Sequence, residues 1–123
     1  MEFKDNKPIY MQIVDLCFHK ILKREWRGEE RIPSVRELAV GLEVNPNTVM
    51  RSYEYLQSED IIYSKRGMGY FSRERAYEQT LEIQRKSFFE TDLVELFDTM
   101  SLLNITIDDI VAAYNKQNSK ELK

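Results

Sequence analysis

Apolar residues recur at intervals of three and four along most of this chain, and the places where that rhythm stops are equally informative. Ile9, Ile13, Leu16, Cys17 and Ile21 share one helical face, so the spacing predicts an opening amphipathic helix with this stripe buried, closed by Gly28 close to Trp26. Asp5 or Asn6 is placed to cap it, with Pro8 in the opening turn, where a missing N–H does no harm. Leu38, Ala39 and Leu42 repeat the pattern in a shorter helix over residues 33–42. Ser34 followed three residues later by Glu37 forms a capping box at its start. A turn of Glu43, Val44 and Asn45 leads into a third helix, opened by Pro46 and running to about Ser58. Val49, Tyr53 and Leu56 line its inner face, while Asn47, Arg51 and Glu54 point the other way.

The helical rhythm breaks at Ile61. Ile61-Ile62-Tyr63-Ser64 and Tyr70-Phe71-Ser72 read as two strands around a tip of Lys65-Arg66-Gly67-Met68-Gly69, whose glycines suit a tight hairpin. Arg31 and Ile32 are placed for a further edge strand. After Arg73 the chain turns helical again. Tyr77, Leu81, Gln84 and Phe88 share one mostly apolar face; Leu93, Leu96, Phe97, Met100 and Leu103 make a second. Asn104 suits a left-handed helix terminus. Thr106 with Asp109 caps a last helix that carries Ile107, Ile110, Val111 and Tyr114 on its inner side. The order describes a mainly α fold with a small β-wing: a winged helix-turn-helix over residues 1–73, then a short helical tail over 74–123. Such a domain places one helix in the DNA major groove.

Composition narrows the classes. With 123 residues the chain makes one ordinary domain or a small domain with an appendage. No apolar run approaches the roughly 20 residues that span a bilayer, and the N-terminus lacks a secretory core, so the expected location is cytoplasmic and no membrane partner is expected. Cys17 is the only cysteine, which excludes an internal disulfide and a cysteine-based zinc site. The net charge of −3 argues against a DNA binder until its distribution is considered. Residues 31–73 hold six basic against five acidic side chains, whereas residues 74–123 hold six against ten. The acidic excess therefore sits in the tail, and recognition would lean on a few placed contacts and on dimerisation.

The first turns of a recognition helix expose short polar groups to base edges. Asn47, Thr48 and Arg51 stand there, with Asn suited to adenine and Arg to guanine. Asn45 and the helix N-terminus can face phosphate, and Arg36 is placed to clamp the backbone or reach a base. Lys65 and Arg66 bring cations to the wing, while Gly67 and Gly69 let its backbone approach closely. Each has a plainer reading. Ser34 and Asn45 serve equally as helix caps, and Arg36, Lys65 and Arg66 as solvated surface charges. Tyr53 lies on the core face and reads as packing. His19 has no companion ligand pair beside Cys17, and Asp108-Asp109 is an acidic pair favoured by the helix dipole. No nucleophile–base set or phosphate loop is present, so no cofactor and no catalysis are expected.

Ile32-Pro33-Ser34-x-Arg36-Glu37-Leu38-Ala39, Val44-Asn45-Pro46-Asn47-Thr48-Val49 and Arg66-Gly67-x-Gly69-Tyr70-Phe71, preceded by Pro8-Ile9-Tyr10-x-Gln12-Ile13, together resemble the GntR family of bacterial transcriptional regulators, over residues 8–72. The Asn-Pro-Asn-Thr-Val turn and the short tail resemble its YtrA subfamily. The resemblance implies a homodimer built largely by the tail and a repressor, often of a transport operon, binding an inverted repeat. It implies DNA contacts from Arg36, Asn47, Thr48, Arg66 and Gly67. Three positions depart from the pattern. Pro46 and Met50 stand where many members carry arginine, so those contacts do not carry over, and Asp60 replaces the glycine that usually ends the recognition helix.

Larger relatives attach an effector-binding or aminotransferase-like domain after the wing; residues 74–123 are too few for either. The amphipathic tail faces need cover. Either a second copy supplies it, through Tyr77, Leu81, Phe88, Leu93, Leu96, Phe97, Met100, Leu103, Ile110 and Tyr114, or the tail folds back on its own winged helix. Two half-sites one turn apart need two copies, which favours the dimer. The function expected is a dimeric repressor of double-stranded DNA with unknown effector; the alternative is a winged helix that docks a protein without binding DNA.

Overall fold

The computed structural model describes residues 7–121. Its elements are α1 (Ile9–Leu22), α2 (Val35–Leu42), α3 (Pro46–Ser58), β1 (Ile62–Lys65), β2 (Gly69–Ser72), α4 (Ala76–Ser87), a wide π turn (Phe88–Asp92), α5 (Leu93–Leu103) and α6 (Ile107–Glu121). They divide into two compact units, the first ending at Ile83 and the second beginning at Gln84. The sequence pattern set this seam at 73/74. Ala76 and Thr80 are buried, and Tyr77 and Ile83 pack against the core of the first unit, so that unit takes in the opening turns of α4. Among the described residues no helix is long and apolar enough to cross a membrane.

In the first unit α3 packs against both α1 and α2. Val49, Tyr53 and Leu56 of α3 are fully buried with Ile13, Val14, Cys17 and Ile21 of α1. The buried arc of α1 differs from the stripe read off the sequence. Ile9 is 49% exposed and Leu16 half-buried, while Val14 and Phe18 go inside, because the core wraps more than one face of this helix. α1 also stops at Leu22, short of Gly28. Arg24 takes a left-handed φ of 65°, Glu25 and Trp26 both donate N–H to the Lys20 carbonyl, and Trp26 turns back into the core. Gly28 has another task. A Cβ there would lie 2.7 Å from the Glu74 carbonyl oxygen, so the chain after α1 can press on the start of the tail only without a side chain. Asp5 and Asn6 lie outside the described residues. Burial pushes the Cys17 thiol up to about 12, which keeps it protonated and unreactive.

The wing is a two-stranded antiparallel hairpin in which Ile62 faces Ser72 and Lys65 faces Gly69. Residues 29–32 run along the free edge of β2, through the Arg31–Phe71 bridge and the bond from Ile32 N–H to the Tyr70 carbonyl. Gly67 and Gly69 hold φ of 76° and 106° at the tip, where a side chain would be strained. Asp60, which stands in place of the family's usual glycine, takes a left-handed φ of 58°, a conformation Asp tolerates better than most residues.

In the second unit Asn104 ends α5 at φ 55°, and the Thr106–Asp109 capping box opens α6. Met100 is buried, and Leu93 and Ile110 are half-buried. Phe88, Leu96, Phe97, Leu103 and Tyr114 are exposed, from 41% for Leu96 to 65% for Tyr114. Leu81, in the first unit, is exposed as well. Tyr77, grouped with these by the sequence pattern, instead packs on the first unit's core and carries the Arg24 guanidinium 3.6 Å from its ring centre.

Candidate nucleic-acid interface

The α2–turn–α3 corner is built by local capping. Ser34 Oγ accepts the Glu37 N–H and the Ser34 N–H donates to Glu37 Oε1, both at 3.0 Å. Those bonds hold the exposed Glu37 carboxyl below the ordinary carboxylate range. Glu43 ends α2 in the left-handed conformation at φ 56°, and Asn45 Oδ1 accepts the Asn47 N–H at 2.8 Å to start α3. Ser34 and Asn45 are therefore caps in fact, and each retains a donor (the Ser34 hydroxyl hydrogen, the Asn45 amide) for a ligand. Removing the Ser34 hydroxyl (Ser34→Ala) should lower unfolding free energy by about 1 kcal/mol in urea titration at neutral pH. A depressed carboxyl pKa contributes stability above its unfolded value and loses it as the carboxyl protonates. Parent stability should therefore drop as pH falls through the carboxylate range, and Glu37→Gln should flatten that drop.

Along α3 the burial follows the helix period. Asn47 and Arg51 are exposed, Thr48 is half-buried, and Met50 is 39% exposed. The Met50 sulfur accepts the Tyr70 hydroxyl at 3.8 Å, which ties this face of α3 to β2. Tyr53 lies inside; its hydroxyl donates to the Pro33 carbonyl at 2.6 Å and its ring meets Tyr70 edge-on at 4.9 Å. Arg51 turns toward α1, its guanidinium carbon 3.9 Å from the centre of the Tyr10 ring. Pro8, Ile9, Tyr10, Asn47, Thr48 and Arg51 line one open recess there. The structure thus brings Asn47, Thr48 and Arg51 together and adds Tyr10.

Arg36 is exposed in the first turn of α2 and Arg66 at the wing tip; neither forms an ion pair among the described residues. Lys65, exposed at the end of β1, also meets the hairpin's own rings. It lies over the stacked Tyr63–Phe71 pair, 4.7 Å from the Phe71 ring centre. Arg73 sits 5.0 Å from the Tyr63 ring, and the Tyr63 hydroxyl donates to Glu29 at 2.6 Å, which raises its pKa. Sequence reasoning set Arg31 on an edge strand but gave it no part in the interface. Opposite Phe71 on the β2 edge, its guanidinium covers the open face of Gly69, with Nε 3.2 Å from where a Cβ would stand. The signal was available: if Ile32 faces the core, alternation puts Arg31 on the outer face. Cations from α2, α3, the wing and its edge strand give the unit what a polyanion needs.

The model of the family described as bacterial regulatory proteins, gntR family, matches residues 9–71. The chain is 40% identical over 75 residues to the HTH-type transcriptional regulator YhcF of Bacillus subtilis, which covers 61% of this chain and 62% of that protein. It is 40% identical over 73 residues to the HTH-type transcriptional repressor YtrA of the same organism, covering 59% of this chain and 56% of that protein. The chain thus matches these curated relatives over about three fifths of their length. A GntR family transcriptional regulator from Listeria monocytogenes shares the fold with a TM-score of 0.77 and 38% identity, over 93% of this chain and 98% of that one. That coverage takes in the tail as well as the winged helix.

Proposed function

The chain belongs to the gntR family of bacterial regulatory proteins, and from that premise we propose that it acts as a homodimeric repressor reading an inverted repeat in duplex DNA. Its class follows from kinship: it is a DNA-binding transcriptional regulator, not an enzyme. The observation that carries the finer reading is α3, which buries Val49, Tyr53 and Leu56 while exposing Asn47 and Arg51. A helix held from behind and polar in front is what the major groove requires. Asn47 and Arg51 take the base edges, with Thr48 beside them. Arg36, Arg66 and Arg31 meet the backbone, with Ser34, Asn45 and the glycine-opened wing at Gly67 and Gly69 giving close approach. Lys65 joins them by swinging off its aromatic pair.

The second copy is engaged through the exposed apolar side chains of α5, α6 and the π turn, which form the kind of surface that isolated chains seldom leave uncovered. Repression is proposed on the likeness to a repressor, and a transporter operon as target on the subfamily resemblance. The working place is the cytoplasm, with the chromosome.

Anisotropy with the duplex upstream of its own gene tests the reading. Binding should fall steeply with salt, and Arg36→Ala and Arg51→Ala should each weaken specific binding by about 1–3 kcal/mol. Parent-like binding by both variants would move the contacts elsewhere. No salt-sensitive binding to any duplex, together with capture of a protein partner, would favour the docking module instead.

A further inference from the structure

We infer that Tyr10 is a positioning residue for DNA recognition: its ring holds the Arg51 guanidinium at the mouth of the recess beside Asn47 and Thr48. The inference rests on reading α3 as the DNA-facing helix, and assigns a role to a side chain of α1 that lies outside the helix-turn-helix.

An exposed arginine samples many rotamers and gives up that freedom when it binds. Arg51 is already gathered over the Tyr10 ring at 3.9 Å. The manner of holding matters. An ion pair with a carboxylate would occupy the guanidinium fork, and Arg51 makes none among the described residues. Stacking on a ring occupies a flat face and leaves the N–H donors along the rim free for guanine or phosphate. The stack pre-orients the group without consuming what it needs for recognition.

Tyr10 is itself anchored from α3. The buried Ser52 hydroxyl donates to the Tyr10 carbonyl at 2.8 Å and lies 3.0 Å from the Thr48 carbonyl. Ser52 is the neighbour of Arg51, so one turn of α3 both presents the cation and grips the backbone of the residue that receives it. Of the other exposed cations of the interface, Arg31, Arg36 and Arg66 have no ring beneath them among the described residues, and Lys65 lies over Phe71 of its own hairpin.

The test uses the full chain and the duplex that the parent enriches from a random library. Tyr10→Leu should weaken binding about two- to fivefold, the range of an exposed cation–π contact. Tyr10→Phe, which keeps the ring face, should restore it. In the Arg51→Ala background Tyr10→Leu should add nothing. The Arg51 Nε–H resonance should carry a ring-current shift in the parent and in Tyr10→Phe and lose it in Tyr10→Leu, while urea melts confirm that each variant is folded. Parent-like binding by folded Tyr10→Leu would overturn the inference. So would an undiminished loss in the Arg51→Ala background, which would make Tyr10 a staple between helices. A parent that enriches no duplex at all overturns the regulator reading first, so the two failures are told apart.

Discussion

Phe97→Glu should break the proposed dimer into monomers and weaken binding to the proposed inverted repeat by about 10²–10⁴-fold, the range by which joining two binding modules exceeds one. Phe97 is 48% exposed, with Leu96 beside it on α5 and Leu103 further along at 63%. In a two-fold interface each residue enters twice, so one substitution sets two carboxylates into an apolar contact. Burying an unpaired charge costs several kcal/mol, enough to undo an association. Affinity for a single half-site should be unchanged, because the winged helix itself is untouched. Sedimentation equilibrium gives the mass, and anisotropy on full and half-site duplexes gives the two affinities. A variant that stays dimeric, or a parent that is already monomeric at micromolar concentration, would remove the tail from the proposed interface.

Tyr53→Ala should cost about 3–5 kcal/mol of unfolding free energy, as large aromatic deletions in packed cores do. That is a large share of the 5–15 kcal/mol typical of a domain. Tyr53 has no exposed surface, meets Tyr70 of the wing edge-on, and bonds the Pro33 carbonyl ahead of α2. One side chain thus joins α3 to the segment before α2 and to β2. Tyr53→Phe separates the two roles: the ring stays, the hydroxyl goes, and a part-buried carbonyl loses its partner, for about 1–3 kcal/mol. Burial also raises the Tyr53 phenol well above its ordinary value, so it stays protonated as the donor in this bond. Urea unfolding followed by Trp26 fluorescence measures both. If Tyr53→Ala costs under about 1 kcal/mol, the site can collapse around the gap and the side chain is no keystone.

Tyr53 also shows how far a sequence can be read. Helical spacing set it inward with Val49 and Leu56, and the core received it. Its two partners were not legible, because Pro33 and Tyr70 lie 20 and 17 residues away along the chain. The same division separates the cations. Asn47 and Arg51 were assigned to the outer face of α3 from periodicity alone. That Arg51 leans on Tyr10, that Lys65 folds over Phe71 and that Arg31 covers Gly69 are contacts between distant segments.

What this chain's sequence determined by itself was several of its element ends: the boxes at Ser34–Glu37 and Thr106–Asp109, the Asn45 cap with Pro46 behind it, and the left-handed stop at Asn104. These are bonds and dihedrals closed within four residues, so neighbouring side chains suffice to specify them. Only the tertiary structure decided that α1 stops at Leu22, that Ile9 stays outside while Val14 and Phe18 go in, that Gly28 gives way to Glu74, and that the first unit reaches Ile83. Each depends on which distant surface arrives to be covered, and that follows from packing the whole chain rather than from any local run of residues.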